Sequence, residues 1–83
     1  MKANTTGAFI VFASGRIDVG LIDSLCALGS VDLIGYSTNA EEAVSQILEN
    51  KPKIVIIDSH NAMTVACRVI RELWSMALVI IVV

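Results

Sequence analysis

Few side chains in this sequence have the type and spacing that chemistry needs. Asp58 ends the apolar run Ile54-Val55-Ile56-Ile57. A carboxylate at the carboxyl end of a buried strand sits where open α/β sheets bind ligands, and it could accept a phosphoryl group or simply cap the turn that follows. His60, the sole histidine, would need a nucleophile and an orienting partner to act as a base. The sequence offers no such pair, so a solvent-facing loop position is expected. Ser14-Gly15-Arg16 follows an apolar run and could offer an anion the start of a helix. One glycine is not a phosphate-binding loop, and the longer glycine fingerprint is absent. Cys26 and Cys67 lack metal-ligand spacing and lie among apolar neighbours, which predicts reduced core thiols. The expectation is a protein that is not an enzyme and uses no cofactor and no metal.

Composition narrows the classes further. With 83 residues the chain is expected to be one domain, 1–83. Yet 55% of it is hydrophobic and its mean hydropathy is +0.75. Either the sheet is covered on both faces, or a partner covers what the fold leaves open. Six Lys and Arg, scattered through a chain of net charge −2, make no phosphate-tracking stripe, so no direct nucleic-acid contact is expected. The longest apolar run, residues 76–83, is far shorter than the roughly 20 residues of a spanning helix. Lys2, the run Ala8 to Ala13 and the small Ser14-Gly15 faintly imitate a signal peptide. The polar residues 3–7 and the shortness of the run argue against one, and a cytoplasmic protein is expected.

Four apolar runs alternate with helix-like segments. The runs are residues 8–12, 31–36, 54–57 and 77–83. The first, third and fourth are nearly continuous in apolar and β-branched residues, which suits parallel strands buried on both faces. The second has polar interruptions and reads as an edge. Between the first two runs, Ile17, Leu21, Leu25 and Leu28 give residues 16–28 one apolar stripe, widened by Ile22 and Cys26, with Gly29 as a stop. Asn39 precedes Glu42 by three, a capping-box-like start to a helix with Ala40, Ala43, Val44, Ile47 and Leu48 inward. Pro52 punctuates the approach to the third run. A third helix over residues 64–73 turns Val65, Val69, Ile70 and Leu73 inward. The order β-α-β-α-β-α-β predicts an α/β fold: a parallel four-stranded sheet in the order 2-1-3-4 with three helices.

The ordered set of segments resembles a family. Residues 31–44, beginning Val31-Asp32-Leu33-Ile34-Gly35-Tyr36, are similar to the second strand and helix of receiver domains from bacterial two-component response regulators. The likeness is greatest to the branch that carries helix-turn-helix output domains. Lys51-Pro52-Lys53-Ile54-Val55-Ile56-Ile57-Asp58 resembles the family's third strand, and residues 66–73 resemble its third helix. The resemblance implies a flavodoxin-like three-layer fold, here truncated, with Asp58 at the phospho-acceptor position. It also marks departures. The family's acidic pair after the first strand, which holds Mg²⁺, falls on Phe12 and Ala13, and neither offers the oxygen a hard cation needs. The loop Ser59-His60-Asn61-Ala62-Met63 is short and lacks the family's Pro-Gly turn. The family's switch Ser/Thr, its later Lys, and its fourth helix, fifth strand and fifth helix would all come after Val83. Asp58-Ser59-His60 is also faintly similar to the Asp-x-His-x-x-Gly motif of cobalamin-binding domains, but Met63 stands at the glycine position.

The terminal run Ala77-Leu78-Val79-Ile80-Ile81-Val82-Val83 is uncharged, β-branched and free of proline. Left bare on a sheet edge, such a strand recruits another. Homodimerisation through it, by strand pairing or strand exchange, is expected, with Trp74 and Met76 as apolar anchors beside Leu78, Ile80, Ile81, Val82 and Val83. The resulting expectation is a pseudo-receiver that regulates signalling or transcription by binding itself and a kinase or regulator protein. The alternatives are a phospho-accepting receiver using Asp58, or a fragment of a longer DNA-binding response regulator.

Overall fold

A computed structural model describes residues 5–83. The elements run β1 (Thr6–Phe12), α1 (Val19–Cys26), β2 (Val31–Ser37), α2 (Ala40–Asn50), β3 (Ile54–Asp58), α3 (Met63–Leu73) and β4 (Val79–Val82). The sheet is parallel throughout, in the order β2-β1-β3-β4. That is the expected α/β architecture, with β2 and β4 at the edges.

Side chains alternate across a strand, so the central strands feed two cores. Phe9, Val11, Val55 and Ile57 meet Ala43 and Ile47 of α2 and Ala66, Val69 and Leu73 of α3 on one face. Ile10, Phe12 and Ile56 meet Leu25 of α1 on the other. The near-continuous apolar character of β1 and β3 follows from this burial on both faces. Between β1 and β2 the register shifts at Ala8/Phe9. There Gly35 lets β2 approach the fully buried Phe9 ring: a Cβ on Gly35 would lie 3.0 Å from its Cε2.

The helix ends follow local hydrogen bonding. Asn39 caps α2, its Oδ1 accepting from the Glu42 amide at 3.0 Å. The reciprocal bond of a capping box is replaced: Ser37 Oγ accepts the Asn39 amide, while the Glu42 carboxylate accepts from Gln46. Lys51 closes α2 in the left-handed conformation, its amide bonded to the Ile47 carbonyl. The buried Pro52 then leads into β3.

Several sequence expectations are corrected. The first helix does not span residues 16–28. Asp18 Oδ1 accepts the Leu21 amide and starts the helix at Val19, which leaves Ile17 and Leu28 outside it and exposed. Cys26 and Cys67 are exposed, not core thiols, because the buried faces are set by Leu25 and by Ala66, Val69 and Leu73. Leu48 is exposed for the same reason, lying one residue round from the buried Ile47. The last strand is four residues long, not seven. Residues 76–78 bend first, with the Leu78 amide bonded to the Met76 carbonyl. Of the signal-like features, Lys2 lies outside the described residues, and the run Ala8–Phe12 is buried in β1. Among the described residues no helix is long and apolar enough to cross a membrane.

Candidate functional site

The carboxyl ends of β1 and β3 lie side by side. Phe12 pairs in register with Asp58, and the Ala13 amide donates to the Asp58 carbonyl at 3.0 Å. Above them opens a shallow crevice of about 300 Å³ lined by Ser14, Arg16, Asp18, Asp58 and His60, with Ile17 and Val19. Asp58 is half-buried at its floor. The loops following β1 and β3 supply the rest, as expected where chain leaves the carboxyl edge of a parallel sheet.

Each loop has a definite local cause. Gly15 takes φ 84°, a conformation open to glycine, and its amide closes a turn on the Phe12 carbonyl. That turn carries Ser14 and Arg16 to the rim. After β3, Ser59 is buried, its amide and hydroxyl both donating to the Val83 carbonyl at 3.0 and 2.8 Å. His60 and Asn61 then both adopt positive φ, 34° and 70°, before the Ala62 amide returns to the Ser59 carbonyl. Two consecutive non-glycine residues in this region are uncommon. The short loop without a Pro-Gly turn is therefore held in shape by the end of β4, and His60 is left exposed at the crevice rim.

The positions matching the receiver family's acidic pair are built as core. Phe12 is fully buried in the α1-side core, with its ring edge-to-face on Tyr36 at 5.9 Å between centroids. Ala13 packs against the core on the α2 and α3 side. The crevice does hold a second carboxylate, Asp18, but that group is engaged in capping α1. A hard divalent cation takes several oxygen ligands, usually carboxylates. The donor set here, Asp58 with a capping Asp18 and a neighbouring Arg16 guanidinium, does not fit one. Among the described residues no three His, Cys, Asp or Glu side chains converge as metal ligands do.

Sequence reasoning puts Asp58 at the end of a strand and Ser14-Gly15-Arg16 at the opening of a helix. The structure brings Ser14, Arg16, Asp58 and His60 together, but Ser14-Gly15-Arg16 forms a turn and the helix opens only at Val19. Sequence reasoning misses Asp18. Its signal is weaker than that of Asn39: Asp18 is a capping residue type, but Leu21 stands where Glu42 follows Asn39, and the apolar Ile17 continues the helical spacing past it.

The second feature lies at the far edge. Among the described residues β4 pairs with β3 alone, the Val79 and Val83 amides donating to the Lys53 and Ile57 carbonyls at 2.8 and 2.9 Å. Bonding residues alternate along a parallel strand, so the backbone groups of Ile80 and Val82 face outward. Met76, Leu78 and Ile80 are partly buried against the core of their own chain. Trp74, Val79, Ile81, Val82 and Val83 are exposed. Val79 and Ile81 stand in register with Ile54 and Ile56, on the α1 side of the sheet, where α1 does not reach them.

No protein-family profile matches the sequence, and no curated protein matches it. Solved structures do match in shape. One is the signal receiver domain of the response regulator NarL from Mycobacterium tuberculosis, with a TM-score of 0.71 at 16% identity. The match covers 95% of this chain and 65% of that one. The fold is thus that of a receiver domain, and the chain spans about two-thirds of the length of the domain it matches.

Proposed function

We propose that this chain is a receiver-like signalling module that acts through protein contacts, including contact with a second copy of itself, and does not run a phosphoryl-transfer cycle. One observation carries the reading: Phe12 and Ala13 stand as packed apolar residues beside Asp58, where receivers hold their metal-binding acids. Phosphoryl transfer depends on neutralising the charge that develops on the phosphoryl oxygens. A crevice without a cation site lacks its main stabiliser. Such a module would serve a two-component or transcription-regulating system in the cytoplasm by occupying a surface that a full receiver, a kinase or a regulator would otherwise engage.

Self-association is supported by the exposed β4 edge, which is uncharged from Met76 to Val83 and offers the outward backbone of Ile80 and Val82. Antiparallel pairing of two such edges about a two-fold axis would join two sheets into one. Sedimentation velocity across micromolar concentrations is expected to give a dimer; a folded monomer throughout would refute this part.

Asp58 supports a second reading, because it is half-buried at the crevice floor beside Ser14 and Arg16. In that reading it accepts a phosphoryl group, with a guanidinium as the nearby cation. Incubation with acetyl phosphate and Mg²⁺, followed by intact mass, separates the two. No adduct is expected. A stoichiometric gain of about 80 Da that disappears in Asp58→Asn would install the second reading in place of the first.

A further inference from the structure

Val83 grips the residues on both sides of Asp58. Its amide donates to the Ile57 carbonyl at 2.9 Å, and its carbonyl accepts from the Ser59 amide at 3.0 Å, so the β3–β4 ladder runs one step past Asp58. The Ser59 hydroxyl donates to the same carbonyl at 2.8 Å from a buried position. If Val83 moves away, that hydroxyl is left unpaired until the loop rearranges. His60 and Asn61 follow directly, at φ 34° and 70°. Residues with a Cβ rarely hold this region unless their surroundings impose it. Here their own side chains do not. Both are exposed and, among the described residues, neither side chain makes a hydrogen bond. Nor does the start of α3 anchor the loop through a side chain, since Ala62 offers no cap. The constraint enters through Ser59, which Val83 holds and whose carbonyl accepts the Ala62 amide.

We propose that the loop from β3 to α3 is a two-state latch and that the end of β4 selects its state. With Val83 in place, Ser59 is pinned, His60 and Asn61 are held at positive φ, and His60 walls the crevice beside Asp58. When the end of β4 lifts, Ser59 loses its acceptor, the two residues return to negative φ, and His60 leaves the crevice. The β4 edge and the crevice are thereby coupled, although different loops and strands build them. Whatever holds β4 closes the latch. By linkage, a ligand that binds the crevice against His60 strengthens the hold on β4 by the same factor. The latch lies within one chain, so it does not depend on self-association.

Two substitutions in the full chain open the latch from opposite ends. Ser59→Ala removes the hydroxyl, and Val83→Pro removes the amide that ties Val83 to Ile57. His60 is the sole histidine, so its ring protons give one unambiguous magnetic-resonance signal at the crevice. Both variants are expected to move that signal toward a common new position, and Val83→Pro to speed amide exchange of residues 59–62 about tenfold while α2 amides keep their rates. Glycine then separates a latch from a merely tight turn. It adopts positive φ freely, so it stabilises a position held there and destabilises one free to relax. His60→Gly should raise the urea midpoint of the parent and lower that of Ser59→Ala. An unmoved His60 signal in both variants, faster exchange confined to residues 79–83, or a glycine effect of the same sign and size in both backgrounds would overturn the proposal. Ser59→Ala keeps every backbone bond, so the test stands even if Val83→Pro fails to fold.

Discussion

Ile81→Lys tests the β4 edge most directly. Ile81 is 43% exposed and lies on the side of the sheet that α1 leaves open. Fully burying an isoleucine is worth about 1.5–3 kcal/mol, so covering its exposed fraction in a dimer is worth about 0.6–1.3 kcal/mol per copy. A two-fold interface counts each residue twice, which makes about 1.3–2.6 kcal/mol, or roughly ten- to hundredfold in the dissociation constant. Two lysines brought together across the axis add repulsion, and lysine is a residue that native edge strands use against pairing. The monomer should suffer less, because the aliphatic stem of lysine still covers Ile56 while its ammonium reaches water. Sedimentation velocity measures the dissociation constant, and urea unfolding of the same samples checks the fold. The reasoning fails if the variant dimerises as the parent does, or if its weaker association merely tracks a loss of monomer stability.

Other substitutions probe the fold beneath the site. Val82→Pro removes an amide that faces away from β3 and so should weaken self-association while leaving the circular dichroism spectrum in place. Gly35→Ala sets a methyl 3.0 Å from the immobile Phe9 ring and should lower the unfolding free energy by about 1–3 kcal/mol in a urea titration. Asn39→Ala deletes the cap on α2 and should cost about 1 kcal/mol by the same measurement, with Asn39→Ser restoring most of it. Leu73→Ala empties a fully buried position between α3 and the sheet and should cost about 2–5 kcal/mol, much of the stability a domain this small commands. Equal midpoints for Leu73→Ala and the parent would show that α3 is not packed as described.

Each part of the structure was legible to the extent that its cause was local. Continuous apolar runs marked β1 and β3 because both faces of those strands are buried, and Pro52 and Asn39 marked boundaries because backbone hydrogen bonding there is settled within a few residues. The first helix misled because Ile17 and Leu28 continue its apolar spacing without belonging to it; the Asp18 cap overrides the pattern. The cysteines misled because apolar neighbours in sequence are not neighbours in space. Ala66 is fully buried while Cys67, one residue on, has turned outward. Asp58 was legible as a strand-end carboxylate, but the crevice above it was not, since its walls come from two loops joined only by the parallel pairing of β1 and β3.

The amino-acid order alone determined the alternation of strands and helices, the parallel sheet with β2 and β4 at its margins, and the apolar residues at Phe12 and Ala13. These follow from periodicity and side-chain chemistry, which are properties of neighbouring residues. Only the tertiary structure decided that Asp18 enters the crevice, that the Val83 carbonyl holds the loop after Asp58, and that four residues rather than seven form β4. It alone brought Arg68 of α3 to Glu41 of α2. Those outcomes depend on which segments the sheet brings together, and hydrogen bonds between residues far apart in the chain leave no periodic mark along it.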